Sequence, residues 1–409
     1  MKLILYGINF SPELTGIGKY TGEMAAWLSN NDHQVDVVTA PPYYPEWEVH
    51  SGFKKSWFSR ESLDAGVLIR CPLYVPSNTS TIKRLLHLIS FSISSAFALL
   101  MKIFDKPDVI FVVQPTLFCA PAGLVYARLV GAKAVMHVQD YEIDAMFGLG
   151  MMNKGVLASL VKKCERWLMR RFDLVSTISY SMIENAKDKG VAGDKLCLFP
   201  NWADVDFVTP DIDGSALKKE WGFGVNDKVV LYAGNIGKKQ GLEAVLDVAE
   251  QLKANSSLHF VLVGTGAQLD VLKADAQRRG LVNVYFKPLQ TWERVPEMLA
   301  MADVHLVIQK KGAADVVLPS KLTNILSAGG YAIVTAEKET ELGALADKFP
   351  NIYERIEPED SAVLQEALER VLRKDLNSFN AVARDYAVEY LSRDEILRHF
   401  EKDLRGLVG

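Results

Sequence analysis

A chain of 409 residues is long for one ordinary domain, and two or three domains are expected. With 49% hydrophobic and 23% charged residues it has the composition of a globular protein that buries large cores. A formal net charge of −4 argues against a dedicated nucleic-acid binder, and four scattered cysteines with no C-x-x-C pair argue against a disulfide frame or a zinc site.

The chain opens on MKLILYGINF, which reads directly as a strand, so no signal peptide is expected. LILYGI (3–8), VDVVTA (35–40), DVIFVVQP (108–115), KAVMHVQD (133–140), LVSTIS (174–179) and KLCLFPN (195–201) are the predicted strands of the first half. They are apolar almost throughout, as strands of a parallel sheet covered on both faces are. Helical stretches separate them; in GKYTGEMAAWLSN, Tyr20, Met24, Trp27 and Leu28 share one face. Leu85–Met101 stands apart: 17 residues without an Asp, Glu, Lys or Arg, flanked by Lys83, Arg84, Lys102 and Lys106. It is shorter than the roughly 20 residues of a spanning helix. A buried core helix is the first expectation and a helix lying on an anionic membrane surface the second.

The segment NWADVDFVTPDIDGS, rich in Asp and small residues, reads as a linker. Asp204-Val-Asp206 and Asp211-Ile-Asp213 within it read as turn caps rather than metal ligands. Beyond it KVVLYAGN (228–235), LHFVLVGTG (258–266), VNVYFKPL (282–289), VHLVIQK (304–310) and YAIVTA (331–336) alternate with helices, and the chain is helical after Ser361. The predicted fold class is α/β: two doubly wound Rossmann-like domains, residues 1–205 and 206–390, facing a cleft, with ligands at the carboxyl ends of the strands.

The loops at those strand ends carry the candidate chemistry. After the first strand, Gly16, Gly18 and Lys19 precede a helix, where backbone amides can meet an anion. This is not a Walker A loop, because Tyr follows Gly-Lys and Glu13 occupies the first glycine's place. Nor is it a dinucleotide fingerprint, because Thr21 takes the place of the third glycine. A purely structural glycine turn stays open. After the fourth strand, HVQDYEIDAMFGLG gathers His137, Asp140, Glu142 and Asp144; Asp140 reads either as a catalytic group or as a turn cap, and His137 first as a core residue.

In the second half, Gly234 and Gly237 of YAGNIGKKQG allow close backbone approach, with Lys238 and Lys239 able to reach a phosphate. GTGAQ, with Gly264, and FKPLQ, with Pro288 and Leu289, lie at neighbouring strand ends. PSKLTNILSAGG sets Ser320, Lys321, Leu322 and Asn324 at the start of a helix, which reads either as a phosphate site or as a capped helix with a spare cation.

In order along the chain, NFSPELTGIGKYTGEM, APPYYPEW, PTLFCAPAG, HVQDYEIDAMFGLG, FPNW, YAGNIGKKQGLE, KGAADVVLPSKLTNILSAGG and TAEKETELG resemble the WcaI-type glycosyltransferases of colanic acid biosynthesis, a branch of the retaining GT-B family 4. The resemblance implies an acceptor-binding first domain, a nucleotide-sugar-binding second domain and a C-terminal helix, residues 391–409, returning to the first. It also implies fucosyl transfer from GDP-fucose to a lipid-linked (polyprenyl diphosphate) sugar in exopolysaccharide biosynthesis. The enzyme would be cytoplasmic, peripheral to the inner membrane face, and free of a metal requirement.

Carried over residue by residue, the family's phosphate-binding Arg and Lys fall on Asn235 and Gln240, which passes the cationic role to Lys238 or Lys239. Its paired glutamates fall on Val316, beside Asp315, and on Asn324. A family histidine falls on Gln139, leaving Asp140 as the matching acid. The implied site is Asp140 and Lys238 in catalysis, with donor contacts from Gly16, Gly18, Lys19, Asn201, Asn235, Lys239, Gly264, Pro288, Leu289, Asp315, Ser320, Lys321, Leu322 and Asn324. Loss of the paired glutamates keeps a non-catalytic sugar-nucleotide-binding or scaffold protein as an alternative, and a UDP-sugar donor as another.

Overall fold

The apolar runs form strands and the amphipathic stretches between them helices. The structure, a computed structural model, describes residues 1–13, 16–44, 46–77, 81–114, 117–141, 143, 156–311, 319–376 and 378–409. The chain divides into two compact units, Met1–Pro200 with Leu397–Gly409, and Asn201–Ile396.

Unit 1 contains β1 (Lys2–Tyr6), α1 (Gly16–Asn30), β2 (Gln34–Thr39), β3 (Ser59–Leu63), β4 (Gly66–Arg70), α2 (Thr81–Met101), β5 (Val109–Val113), α3 (Ala120–Val130), β6 (Lys133–Val138), α4 (Val156–Met169), β7 (Leu174–Thr177), α5 (Tyr180–Asp188) and β8 (Leu196–Leu198). Its strands lie in the order β3-β4-β2-β1-β5-β6-β7-β8, parallel except for β3 against β4. The chain winds outward from the centre in two directions, and right-handed crossovers then put α1 on one face and α2, α3, α4 and α5 on the other.

The hairpin β3–β4 is an addition to the predicted strands. SRESL is polar at four of its five positions and runs along the sheet edge half exposed, so no apolar run announces it, whereas GVLIR of β4 is mostly apolar. The edge strand ERI (354–356) of the second sheet is another addition.

Unit 2 contains α6 (Ser215–Glu220), β9 (Lys228–Ala233), α7 (Glu243–Gln251), β10 (Leu258–Val263), α8 (Leu269–Arg278), β11 (Val284–Lys287), α9 (Val295–Ala300), β12 (Val304–Val307), α10 (Ser320–Ser327), β13 (Ala332–Thr335), α11 (Glu341–Lys348), β14 (Glu354–Ile356), α12 (Ser361–Leu372) and α13 (Ala381–Tyr390). Its parallel sheet runs β11-β10-β9-β12-β13-β14. One face packs Val230, Phe260 and Leu262 against Leu246 of α7 and Leu368 of α12; the other packs Val307 and Val334 against Leu322 and Leu326 of α10. Strand order reverses between β9 and β12, and a doubly wound sheet binds its ligand at such a reversal.

From Leu397 on, the last helix, α14 (Arg393–Val408), supplies the rest of unit 1 on the α1 side. Phe400 stacks on Phe199 at 3.9 Å between ring centroids, and His33 Nε2 lies 2.8 Å from the Glu401 carboxylate.

Helix α2 corrects an expectation. It runs 21 residues and is not a buried core helix. His87, Phe91, Ser95, Ala98 and Leu99 face the sheet, while Ile82, Leu86, Ile89, Ile93, Phe97 and Leu100 face outward. The helix covers the sheet with one face; on the other, Phe97 meets Phe58 at 6.0 Å between ring centroids, and the apolar residues remain largely exposed. Its segment Ile82–Met101 is long and apolar enough to cross a membrane by length and composition. Lys102, read as a flanking cation, turns inward and pairs with buried Asp36 at 2.9 Å.

Candidate functional site

The loops on either side of the β9/β12 reversal converge on one cation. Tyr232, near the end of β9, is fully buried, and its hydroxyl donates to the Asn235 carbonyl at 2.6 Å. The same hydroxyl accepts from Lys321 Nζ at 2.9 Å, and that ammonium lies 4.1 Å from the Tyr232 ring centroid. Burial raises the Tyr232 pKa well above its ordinary value, so the phenol is neutral and holds the lysine without cancelling its charge.

Two glycines make this approach possible. Gly234 has φ +149°, and a Cβ there would come within 2.9 Å of Lys321 Nζ. A Cβ on Gly264 would overlap the Gly234 carbonyl oxygen at 1.9 Å, so the loops after β9 and β10 touch backbone to backbone.

Helix α10 begins after Pro319, whose carbonyl accepts from Leu322 N at 2.8 Å; among the described residues no side chain caps it. Leu322 is fully buried in the core, so its side chain does not reach the site. Its neighbours Ser320, Lys321 and Asn324 instead line a cavity of about 210 Å³ with Gly234, Leu289 and Gln290. Beneath it His305 is buried and neutral, its pKa pushed down to about 4 by burial. Pro288 is exposed beside Leu289 at the same strand ends.

Lys238 and Lys239 lie on an exposed 3-10 turn further along the same loop, close to exposed Asn235, and neither makes an ion pair among the described residues. Gln240, where the resemblance expects a lysine, closes that turn by accepting from Gly237 N at 3.1 Å. Asn201 opens unit 2, and Asp315 lies outside the described residues. In the linker, Asp204 accepts from Phe207 N at 3.1 Å and Asp213 from Ser215 N at 2.8 Å, so both serve as turn caps.

In unit 1 the carboxyl edge carries Gly16, Gly18, Lys19 and Asp140. Gly16, at φ +59°, starts α1, and Lys19 lies 3.8 Å from Glu23 one turn on. Glu13, read only as a departure from a Walker loop, anchors this segment. Its buried carboxylate accepts from Tyr43 N and Tyr44 N, both at 3.1 Å, and from Asn9 Nδ2 at 2.9 Å. A Cβ on Gly18 would meet Glu13 at 2.6 Å. Burial raises the Glu13 pKa, opposed by these donors.

Asp140 is exposed just beyond β6; Glu142 and Asp144 lie outside the described residues. His137 is a core residue, between Phe111 and Phe199, with Ser176 Oγ 2.9 Å from Nδ1, and burial pushes its pKa to about 3.

Thus Gly264, Leu289, Ser320, Lys321 and Asn324 are brought to one place, with Asn235, Lys238 and Lys239 along the same edge. Tyr232 and Glu13 were not legible as site residues. The only signal for Tyr232 was a polar-tipped ring at the end of an apolar strand before glycine.

Residues 15–202 match the glycosyl transferase 4-like domain family and residues 214–387 the glycosyl transferases group 1 family. The chain is 49% identical, over 99% of its length and 100% of the relative's, to the protein named "Putative colanic acid biosynthesis glycosyl transferase WcaI" of Escherichia coli (strain K12). Among solved structures it is similar to sucrose-phosphate synthase from Thermosynechococcus elongatus, with TM-score 0.72, 15% identity and coverage of 100% and 99% of the two chains. Anabaena HepE in complex with UDP is also similar, with TM-score 0.68, 15% identity and coverage of 99% and 100%. With two Rossmann-like units of the GT-B fold, the chain belongs to the WcaI-type glycosyltransferases of colanic acid biosynthesis and is a glycosyltransferase.

Proposed function

We propose that the enzyme moves fucose from GDP-fucose, with retention of configuration, onto a lipid-linked oligosaccharide on a polyprenyl diphosphate at the inner face of the cytoplasmic membrane, in building a colanic-acid-like exopolysaccharide. The observation that carries the donor site is Lys321, held by Tyr232 against Gly234 where the strand order reverses, with Ser320 and Asn324 beside it. A cation fixed there, a hydroxyl and an amide suit a diphosphate and the hydroxyls of a ribose. The choice of fucose and guanine follows from the resemblance of the motifs.

In the reaction the acceptor hydroxyl oxygen bonds to the anomeric carbon as the bond from that carbon to the β-phosphate oxygen breaks. The nucleoside diphosphate leaves with the electron pair, and a phosphate oxygen takes the hydroxyl proton. Charge grows on the departing phosphate. Lys321 and, from the exposed turn, Lys238 or Lys239 offset it without a metal. Each such contact contributes about 3 kcal/mol, about a hundredfold in rate. Asn324 hydrogen-bonds ribose hydroxyls more weakly than a glutamate would, being neutral. Asp140 orients the sugar being joined.

Thermal shift against GDP, UDP and their sugars, followed by transfer assays with a lipid-linked monosaccharide, tests the reading. A shift with GDP and transfer from GDP-fucose is expected. A preference for UDP changes the donor, and no shift with any nucleotide, taken with Asn324 in place of the family acid, favours a scaffold.

A further inference from the structure

We propose that the α2–α3–α4 face of unit 1 is a docking surface for an anionic lipid bilayer, apolar along α2 and phosphate-binding on α4. It rests on the membrane-side reading above and names the surface which that reading requires.

The three helices cover strands reached in one direction across the sheet, from β4 to β5, β6 and β7, so right-handed crossovers place them on one face. Along α2, Ile82, Leu86, Ile89, Ile93, Phe97 and Leu100 recur every three or four residues and all point outward, Ile82 at 72% and Ile93 at 69% exposure. Phe104 continues the stripe just past the helix end at 89%, and Val125 and Leu129 of α3 are exposed as well. The helix contains no Asp or Glu. An apolar surface so continuous marks an interaction site.

On α4 the charges are segregated. Its one acid, Glu165, points inward and pairs with buried Lys189 at 2.7 Å. Lys163, Arg166, Arg170 and Arg171 line a hollow of about 460 Å³ with Trp167, and the Arg171 guanidinium lies 4.0 Å from the Trp167 ring centroid. None of the four cations makes an ion pair among the described residues. Arg170 donates to the Lys189 carbonyl at 3.2 Å, and no described carboxylate neutralises any of the four; in a chain of net charge −4, cations gathered so repel one another and invite an anion. Trp167 and Leu160 stand exposed beside them, an apolar fringe suited to the headgroup region.

The two halves of the face select the occupant. A nucleic acid would neutralise α4 and leave the α2 stripe in water. A second copy of this chain, packed stripe to stripe, would bury α2 and leave the α4 cations unanswered. An anionic bilayer satisfies both, with acyl chains on α2 and lipid phosphates in the α4 hollow.

The test uses the full chain with vesicles of phosphatidylcholine alone or mixed with phosphatidylglycerol. Co-flotation with the mixed vesicles, weakened by added salt, is expected. Arg166→Glu with Arg171→Glu should lower partitioning about tenfold or more, and Ile93→Asp with Phe97→Asp should abolish it, both with unchanged melting temperature. A chain that stays soluble with mixed vesicles, or variants that float like the parent, overturns the proposal. So does a dimer in light scattering that the stripe substitutions dissolve while flotation is untouched. Transfer to a detergent-dispersed acceptor separates the two readings. A chain that transfers without floating refutes this surface, and one that floats without transferring refutes the proposed function.

Discussion

The Lys321 ammonium rests on Tyr232, 2.9 Å from its hydroxyl and 4.1 Å from its ring centre. Tyr232 thus positions the charge that the proposed donor site uses. Tyr232→Phe removes the hydrogen bond and keeps the ring. It should weaken nucleoside diphosphate binding about fivefold, about 1 kcal/mol, and leave nucleoside binding unchanged. In a Lys321→Ala background the same substitution should do nothing further, as calorimetric titration would show; an equal loss in both backgrounds would make Tyr232 merely structural.

Gly234→Ala tests the other side of the same contact. A methyl at φ +149° is strained and meets the lysine ammonium, so Lys321 must swing away. Donor KM should rise and kcat fall about a hundredfold, while the protein stays folded by circular dichroism.

Asp140→Asn keeps the shape of an exposed side chain at the end of β6 and removes its charge. Transfer should drop about a hundredfold with nucleotide affinity unchanged. Full activity in steady-state assays would end its catalytic assignment.

His137 and His305 are held neutral by burial, with pKa values near 3 and 4 against an ordinary 6.5. The unfolded chain takes up protons below 6.5 that these folded rings refuse, so stability falls as pH drops from there toward about 4. The loss is about 1.4 kcal/mol per pH unit for each ring. His305→Asn should flatten the difference between urea unfolding at about pH 7 and about pH 5; an unchanged difference would contradict the burial argument.

For Glu13 the sign is reversed. Its folded pKa lies above the ordinary 4.5, so ionising it costs stability as pH rises through that raised value. Glu13→Gln retains an oxygen for the Tyr43 and Tyr44 amides without the charge, and should therefore gain on the parent as pH rises. Glu13→Ala leaves the Tyr43 and Tyr44 N–H groups without this acceptor and should lose about 2–4 kcal/mol at low pH and less as pH rises, read by thermal melting.

The sheet strands were legible because a parallel strand buried on both faces is apolar in every position. β3 and β14 were not, because SRESL and ERI are edge strands made mostly of polar residues, and β4 was passed over although GVLIR is mostly apolar. The α2 reading erred because an apolar helix announces hydrophobicity, whereas burial depends on what packs against it. Gly234, Ser320 and Lys321 were readable from local chemistry at strand ends. Tyr232 was not, since it meets Lys321 across 89 positions of chain, through the alignment of two elements that no window of sequence contains. Glu13 was hidden likewise, its role set by amides 30 and 31 residues away.

Helix α14 has a consequence for biosynthesis. Residues 201–396 fold as their own unit, but unit 1 lacks its final layer until Leu397–Gly409 have left the ribosome. Phe111 and Phe199, which Phe400 covers, wait uncovered on a nascent sheet while the whole second half is translated. The half made first is therefore the half completed last, and chaperone dependence should fall on unit 1.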